Sequence, residues 1–170
     1  VVEYMRENRR VLVGMSGGFD SSIVCILLQK RGYEVVGVTM RMWDSQRHFK
    51  EGDIEPDYIL SARRLAQQLG IVHHVIDARA DFKNEVVDYF TSEYLNGRTP
   101  NPCVRCNRVI KWDLMRKLAD ELDCWYLATG HYANVVCLND NYYISKGRDV
   151  KKDQSYFLWD VDPSIWERVL

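Results

Sequence analysis

Apolar residues along this chain follow two rhythms. Short runs of β-forming residues alternate with longer stretches in which apolar positions recur every three or four residues. Val11-Leu12-Val13 is a charge-free run that suits a buried strand. Ile23, Val24, Leu27 and Leu28 then keep helical spacing, and Gly32 supplies a stop. Residues 34–40 read as a second buried strand, so strand, helix and strand form a right-handed parallel crossover. Ile59, Ala62, Leu65, Ala66 and Leu69 line one face of a second helix over about 57–69, closed by Gly70. Residues 71–77 make a third strand. His73 and His74 point to its opposite faces, so they do not share one metal ion and both read as structural. Phe82, Val86, Tyr89, Phe90 and Tyr94 predict a third helix, and Ile110, Leu114, Met115, Leu118 and Leu122 a fourth. Residues 125–131 read as a fourth strand with a polar tip. Residues 135–138 and 142–145 bracket Asn139-Asp140-Asn141 as a β-hairpin, and a short helix follows near Ser164.

Two stretches lose this order. Residues 43–56 form a polar loop suited to folding over a substrate, and His48 in it reads as a solvated side chain. Residues 96–107 are held out of regular structure by two prolines and a glycine. Alternating strands and helices imply an α/β fold with an open, doubly wound, mostly parallel sheet and a small C-terminal hairpin. Ligands of such sheets sit at the carboxyl ends of the strands. The glycine-rich turn after Val13, Met40 and Gly130-His131 all follow strand ends.

Composition narrows the class only a little. The 170 residues suffice for one domain with a real core, and 46% hydrophobic with 28% charged residues is ordinary for a soluble globular protein. No apolar run is long enough to span a membrane, and the first ten residues lack the apolar segment of a signal peptide. The chain starts without Met, which suits a trimmed one. A net charge of −1 neither supports nor excludes a nucleic-acid partner. Five cysteines, an odd number without an export signal, suit reduced thiols in a cytosolic protein.

Candidate chemistry gathers in two places. The first is Gly14-Met15-Ser16-Gly17-Gly18-Phe19-Asp20-Ser21, a strand end, a glycine turn and a helix start. Free N–H groups at such a helix start make an anion site, best matched to a phosphate. Neither the Walker loop nor the Gly-x-Gly-x-x-Gly fingerprint is present. The second is Cys103-Val104-Arg105-Cys106, a Cys-x-x-Cys pair with three readings. Zinc would want four ligands, and no second pair at suitable spacing appears. A redox pair usually opens a helix directly after a strand. In the third reading Cys106 is a nucleophile at the start of the fourth helix, where the helix dipole, Arg105 and Arg108 favour its thiolate.

The turn Ser16-Gly17-Gly18-Phe19-Asp20-Ser21 resembles the Ser-Gly-Gly-x-Asp-Ser loop of the PP-loop ATP pyrophosphatases, which often carry Val where Phe19 stands. Gly97 to Pro102, Cys106-Asn107, Thr129 to Tyr132 and Lys152 to Phe157 extend the likeness to the tRNA-specific 2-thiouridylases, from Val11 to about Leu158. The resemblance implies a Rossmann-like PP-loop fold and the use of ATP with Mg²⁺. It implies adenylation of the C2 oxygen of the wobble uridine in tRNA, then sulfur transfer from a cysteine persulfide. By position, Cys106 matches the nucleophile and Asp20 a second catalytic group. Gly14, Met15, Ser16, Gly17, Gly18, Phe19, Asp20 and Ser21 match the ATP loop, with Met40 and Gly130 on the adenosine side. Asn101, Pro102 and Cys103 match the segment facing the target base, and His131, Lys152, Asp153 and Gln154 match tRNA contacts.

Some members carry Asp where Cys103 stands, so the identity of any base stays open. The family's persulfide cysteine and its later tRNA-gripping domains are expected beyond Leu170, and Cys25, Cys124 and Cys137 do not resemble that cysteine. The whole chain, 1–170, is therefore expected to be the N-terminal catalytic domain of a longer cytoplasmic enzyme. Its partners would be tRNA and a sulfur donor, either a cysteine desulfurase or a relay carrier, with no membrane. Two rivals stand beside this one. Another PP-loop ligase would need no cysteine after Asn101-Pro102, and a non-catalytic nucleotide-binding module would bind ATP without releasing pyrophosphate.

Overall fold

A computed structural model describes residues 8–45 and 55–170. His48 and most of the predicted polar loop lie outside the described residues. Strands β1 (Arg10–Gly14), β2 (Glu34–Arg41), β3 (Val72–Asp77) and β4 (Tyr126–Ala128) form one parallel sheet in the order β3-β2-β1-β4. Val11 lies between Val35 and Tyr126, and Val13 between Gly37 and Ala128.

Side chains alternate across a strand, so β1 feeds two cores. Val11, Val13 and Met15 pack with Cys25 and Leu28 of helix α1 (Phe19–Lys30) and with Ala62 and Ala66 of α2 (Asp57–Leu69). Leu12 turns to the other face with Val36, Val38 and Leu127. There it meets Trp112, Met115 and Ala119 of the helix running Trp112–Glu121. Helices thus cover both faces, and the doubly wound sheet expected from the sequence is the one observed. Strand order reverses between β1 and β4, which places the topological switch point directly beyond Gly14.

The crossover from β3 to β4 departs from expectation. The predicted third helix is three segments: α3 (Arg79–Phe82), a π-turn over Lys83–Val87 and α4 (Asp88–Leu95). The predicted fourth begins earlier than its apolar spacing suggests, as α5 (Pro102–Cys106). A second π-turn (Asn107–Lys111) and α6 (Trp112–Glu121) follow. The reason is local. Asn101 Oδ1 accepts from the Val104 N–H at 3.3 Å, and Pro102 takes the first helical position, where a missing N–H costs nothing.

Strands β5 (Ala133–Leu138) and β6 (Asn141–Lys146) form the expected hairpin. Its two-residue turn puts Asn139 and Asp140 at φ of 52° and 61°, and Asn141 already pairs with Leu138. A 3₁₀ turn over Pro163–Arg168 buries Ile165 and Trp166 against the α6 core. No helix among the described residues is long and apolar enough to cross a membrane.

Candidate active site

The turn after β1 is tied down before it reaches the solvent. Met15 is buried; its N–H donates to the Val38 carbonyl at 2.7 Å and its carbonyl accepts from Thr39 Oγ1 at 2.9 Å. Thr39 has one proton and gives it to Met15. His73 Nε2, 2.8 Å from the same oxygen, is therefore the protonated nitrogen of a neutral ring. Gly17 sits at φ +73°, and a Cβ there would lie 2.3 Å from the Tyr58 carbonyl oxygen, so no other residue fits. Ser21, buried, accepts from the Ser16 N–H at 3.2 Å and donates to the Gly18 carbonyl at 3.1 Å. No side chain caps α1 at Gly18, which leaves its first-turn N–H groups for a bound acceptor.

The facing wall is Thr129-Gly130-His131, beyond β4. A Cβ on Gly130 would lie 3.2 Å from the Ser21 nitrogen, so the two turns approach backbone to backbone. His131 Nδ1 lies 2.7 Å from Thr129 Oγ1, and its ring stacks on Trp112 at 6.3 Å between centroids. Burial, aided by the charge of Lys111, pushes the His131 pKa down to about 4, so its ring is neutral at pH 7.

Between these walls lies a cavity of about 390 Å³. Of the residues singled out from sequence, Gly14, Met15, Ser16, Asp20, Ser21, Met40, Gly130, His131 and Gln154 line it. Gly17 and Gly18 shape the turn, while Phe19 is 78% exposed and lies off the cavity wall. Val38, Thr39, Met42, Tyr58, Lys111, Met115 and Thr129 complete the lining. The strand-end rule applied to Met40 and Gly130 could have found their neighbours Thr39, Met42 and Thr129, but no local signal marks Tyr58 or Met115. A larger cavity of about 590 Å³ lies under β6 and the C-terminal 3₁₀ turn, lined by none of the residues predicted to carry chemistry.

Cys106 is not on the cavity wall. It is 7% exposed, packed with Ala78, Val86 and Ile110, and its Sγ lies 3.9 Å from the Sδ of Met42, which does line the cavity. The expectation that it opens a helix is overturned: Pro102 opens α5, exposed Cys103 lies in its first turn, and Cys106 is its last residue. The flanking arginines are engaged elsewhere. Arg105 pairs with Glu85 at 2.6 Å and lies over Tyr89, and Arg108 pairs with Asp160 at 2.9 Å. Burial raises the Cys106 thiol above its ordinary pKa, and Lys111 only partly opposes this. All five cysteines are unpaired.

Asn101, Pro102 and Cys103 stand at the start of α5, also off the cavity wall. Lys152 lies 5.1 Å over the Tyr132 ring. Asp153 closes a turn by accepting from the N–H groups of Gly147 and Ser155, and the Gly147 contact leads in holding its carboxyl below the usual range. Gln154 Oε1 accepts from the Tyr132 N–H at 3.0 Å, and the Gln154 N–H donates to the Tyr132 carbonyl at 2.8 Å.

Residues 9–170 match the family described as the tRNA methyl transferase HUP domain. The chain is 52% identical over 164 residues to tRNA-specific 2-thiouridylase MnmA 3 of Phocaeicola vulgatus, covering 96% of this chain and 44% of that protein. It is 51% identical over 165 residues to the MnmA of Amoebophilus asiaticus, covering 95% and 44%. It is 46% identical over 170 residues to that of Cytophaga hutchinsonii, covering 98% and 46%. The chain thus spans less than half the length of these curated relatives. A parallel sheet whose switch point carries the glycine turn, together with a match over nearly the whole chain, leaves one assignment: this chain belongs to the tRNA methyl transferase HUP domain family.

Proposed function

We propose that this chain is the ATP-using catalytic domain of a tRNA-uridine 2-sulfurtransferase acting on the wobble position. The observation that carries the proposal is the cavity at the switch point, walled by the Ser16–Ser21 turn and by Gly130. It is supported by the names of the relatives, 2-thiouridylases about half identical to this chain.

The residues present fit ATP. The uncapped start of α1 suits its phosphates, and the close approach of Gly130 to Ser21 leaves room that a side chain would fill. Magnesium fits too. Among the described residues no three His, Cys, Asp or Glu side chains converge as a metal cage, and Asp20 is the one carboxylate on the cavity wall. One carboxylate plus substrate phosphates is a common arrangement for that ion.

ATP supplies the activation: transfer of its adenylate to the uridine C2 oxygen turns a poor leaving group into AMP and releases pyrophosphate. The first-turn N–H groups of α1 stabilise the charge on the departing pyrophosphate. Asp20 holds the magnesium ion, while Met40 and Gly130 border the adenosine. The uridine leaves the anticodon stack to enter, as bases do for other base-modifying enzymes. Asn101, Pro102 and Cys103 face the base from the start of α5, and His131, Lys152, Asp153 and Gln154 contact the tRNA.

Sulfur arrives as a cysteine persulfide on the part of the protein beyond this chain, loaded by a desulfurase or relay carrier in the cytoplasm. Cys106 is the second thiol. To act, it must lose its proton and reach the cavity that its neighbour Met42 lines. Lys111, on the cavity wall, is the group that favours the thiolate.

Mass spectrometry of tRNA nucleosides from cells lacking the full-length protein tests the proposal. Loss of 2-thiouridine is expected. Intact 2-thiouridine with loss of a methylated nucleoside would overturn it.

A further inference from the structure

Among the described residues, Asp20 has a single side-chain hydrogen-bond partner. Its Oδ1 accepts from the Tyr132 hydroxyl at 2.8 Å, and no other described residue donates to the carboxylate. The contact bridges the two turns that face each other across the switch point, one after β1 and one after β4. It also lies where two cavities meet. The 390 Å³ cavity holds Asp20 on its wall, and a smaller one of about 200 Å³ between α1 and the Thr129–Tyr132 turn is lined by both residues.

Tyr132 is held in place by its own frame. Its backbone is pinned at both N–H and carbonyl by Gln154, at 3.0 and 2.8 Å. Its ring lies beneath the Lys152 ammonium, 5.1 Å away. A tyrosine meeting an aspartate by chance at a surface has no such support.

The geometry points to Tyr132 as a positioning residue: its hydroxyl occupies one oxygen of Asp20 and so presents the other to the magnesium ion on the nucleotide phosphates. The inference rests on the Mg²⁺–ATP reading of the cavity. Carboxylates that ligate metals are themselves commonly hydrogen-bonded, and loss of such an outer partner typically weakens metal affinity by about 10- to 100-fold. Tyr132 does not touch the reacting atoms; it acts through Asp20.

The test uses the full-length protein and Tyr132→Phe. This variant keeps the ring under Lys152 and both backbone hydrogen bonds, and thermal denaturation confirms that it folds. Mn²⁺ binding is followed by electron paramagnetic resonance with α,β-methylene-ATP, which cannot be cleaved between the α and β phosphates. The expected result is a Kd for Mn²⁺ about tenfold weaker in Tyr132→Phe, with affinity for metal-free nucleotide unchanged. Tyr143→Phe, on the hairpin, should match wild type. Wild-type Mn²⁺ affinity in Tyr132→Phe would overturn the inference while leaving the ATP reading intact. An equal loss of metal-free nucleotide affinity would mark a structural role and also overturn it. A wild-type protein with no metal-dependent nucleotide binding would overturn both.

Discussion

Cys106 and Met42 meet sulfur to sulfur at 3.9 Å, and Met42, unlike Cys106, lines the cavity. The segment carrying Met42 is pinned. Arg41 grips Asp44 with two hydrogen bonds of 2.8 Å, and Arg79 reaches the same carboxylate at 2.6 Å. Cys106 is thus a buried thiol of raised pKa beside a segment held by ion pairs.

Alkylation should therefore be ordered by exposure and not by motif. With iodoacetamide at pH 7.5, Cys103 and Cys137 should react well before Cys106, with peptide mass spectrometry as the readout. Lys111→Met should shift the pH midpoint of Cys106 alkylation upward, since Lys111 is the charge that favours its thiolate. Asp44→Asn should speed Cys106 by loosening Met42. A Cys106 that reacts first in the wild type would contradict the burial seen here.

Ser16 and Asp20 are exposed, whereas Ser21 is buried and bonded to two backbone groups. Ser16→Ala and Asp20→Ala should abolish ATP-dependent pyrophosphate release while leaving the unfolding midpoint nearly unchanged. Ser21→Ala should cost about 1 kcal/mol of stability, because it removes two hydrogen bonds that fix the turn while the Gly18 carbonyl keeps Ser22 as a donor. Urea denaturation of each variant, beside a pyrophosphate assay, separates the two effects.

Gly17→Ala places a Cβ 2.3 Å from the Tyr58 carbonyl oxygen at a φ of +73°. Left-handed strain costs roughly 1–3 kcal/mol before the clash is counted, and relief requires the turn to move off α2. The variant should fold less stably and lose nucleotide binding, as measured by calorimetry.

His131 should contribute a visible pH dependence. Its unfolded pKa is 6.5 and its folded pKa is pushed down to about 4 by burial. Between those values the unfolded state binds the extra proton, so stability falls as pH drops from 6.5 toward 4 and the full loss is present below 4. The shift corresponds to about 3 kcal/mol at most. His131→Gln should flatten that part of the stability curve, with denaturant midpoints measured at half-unit pH steps. Parallel curves for the two proteins would show that the ring titrates normally in the fold.

What the chain determines by itself is what neighbouring residues decide among themselves. Val11 to Val13, the glycine turn and the start of α1 are legible because an apolar run, a positive φ and a helix terminus are short-range demands. So are the Asn139-Asp140 hairpin turn and Gly70 at the end of α2, both in left-handed backbone. Met40 and Gly130 could be placed at one edge because strand ends in a parallel sheet share that edge. The surroundings of a side chain are another matter. Cys106 and its flanking arginines look like a thiolate site in one dimension. The β3–α4 crossover then brings Ala78 and Val86 over the thiol and Glu85 onto Arg105, and desolvation outweighs the remaining charge of Lys111. Tyr58 and Met115 reach the cavity from two helices, on opposite faces of the sheet, and Tyr132 meets Asp20 across 112 positions of chain. Burial and hydrogen-bond partnership depend on which distant segments fold against a residue, and only the closed sheet with both helical layers in place sets them.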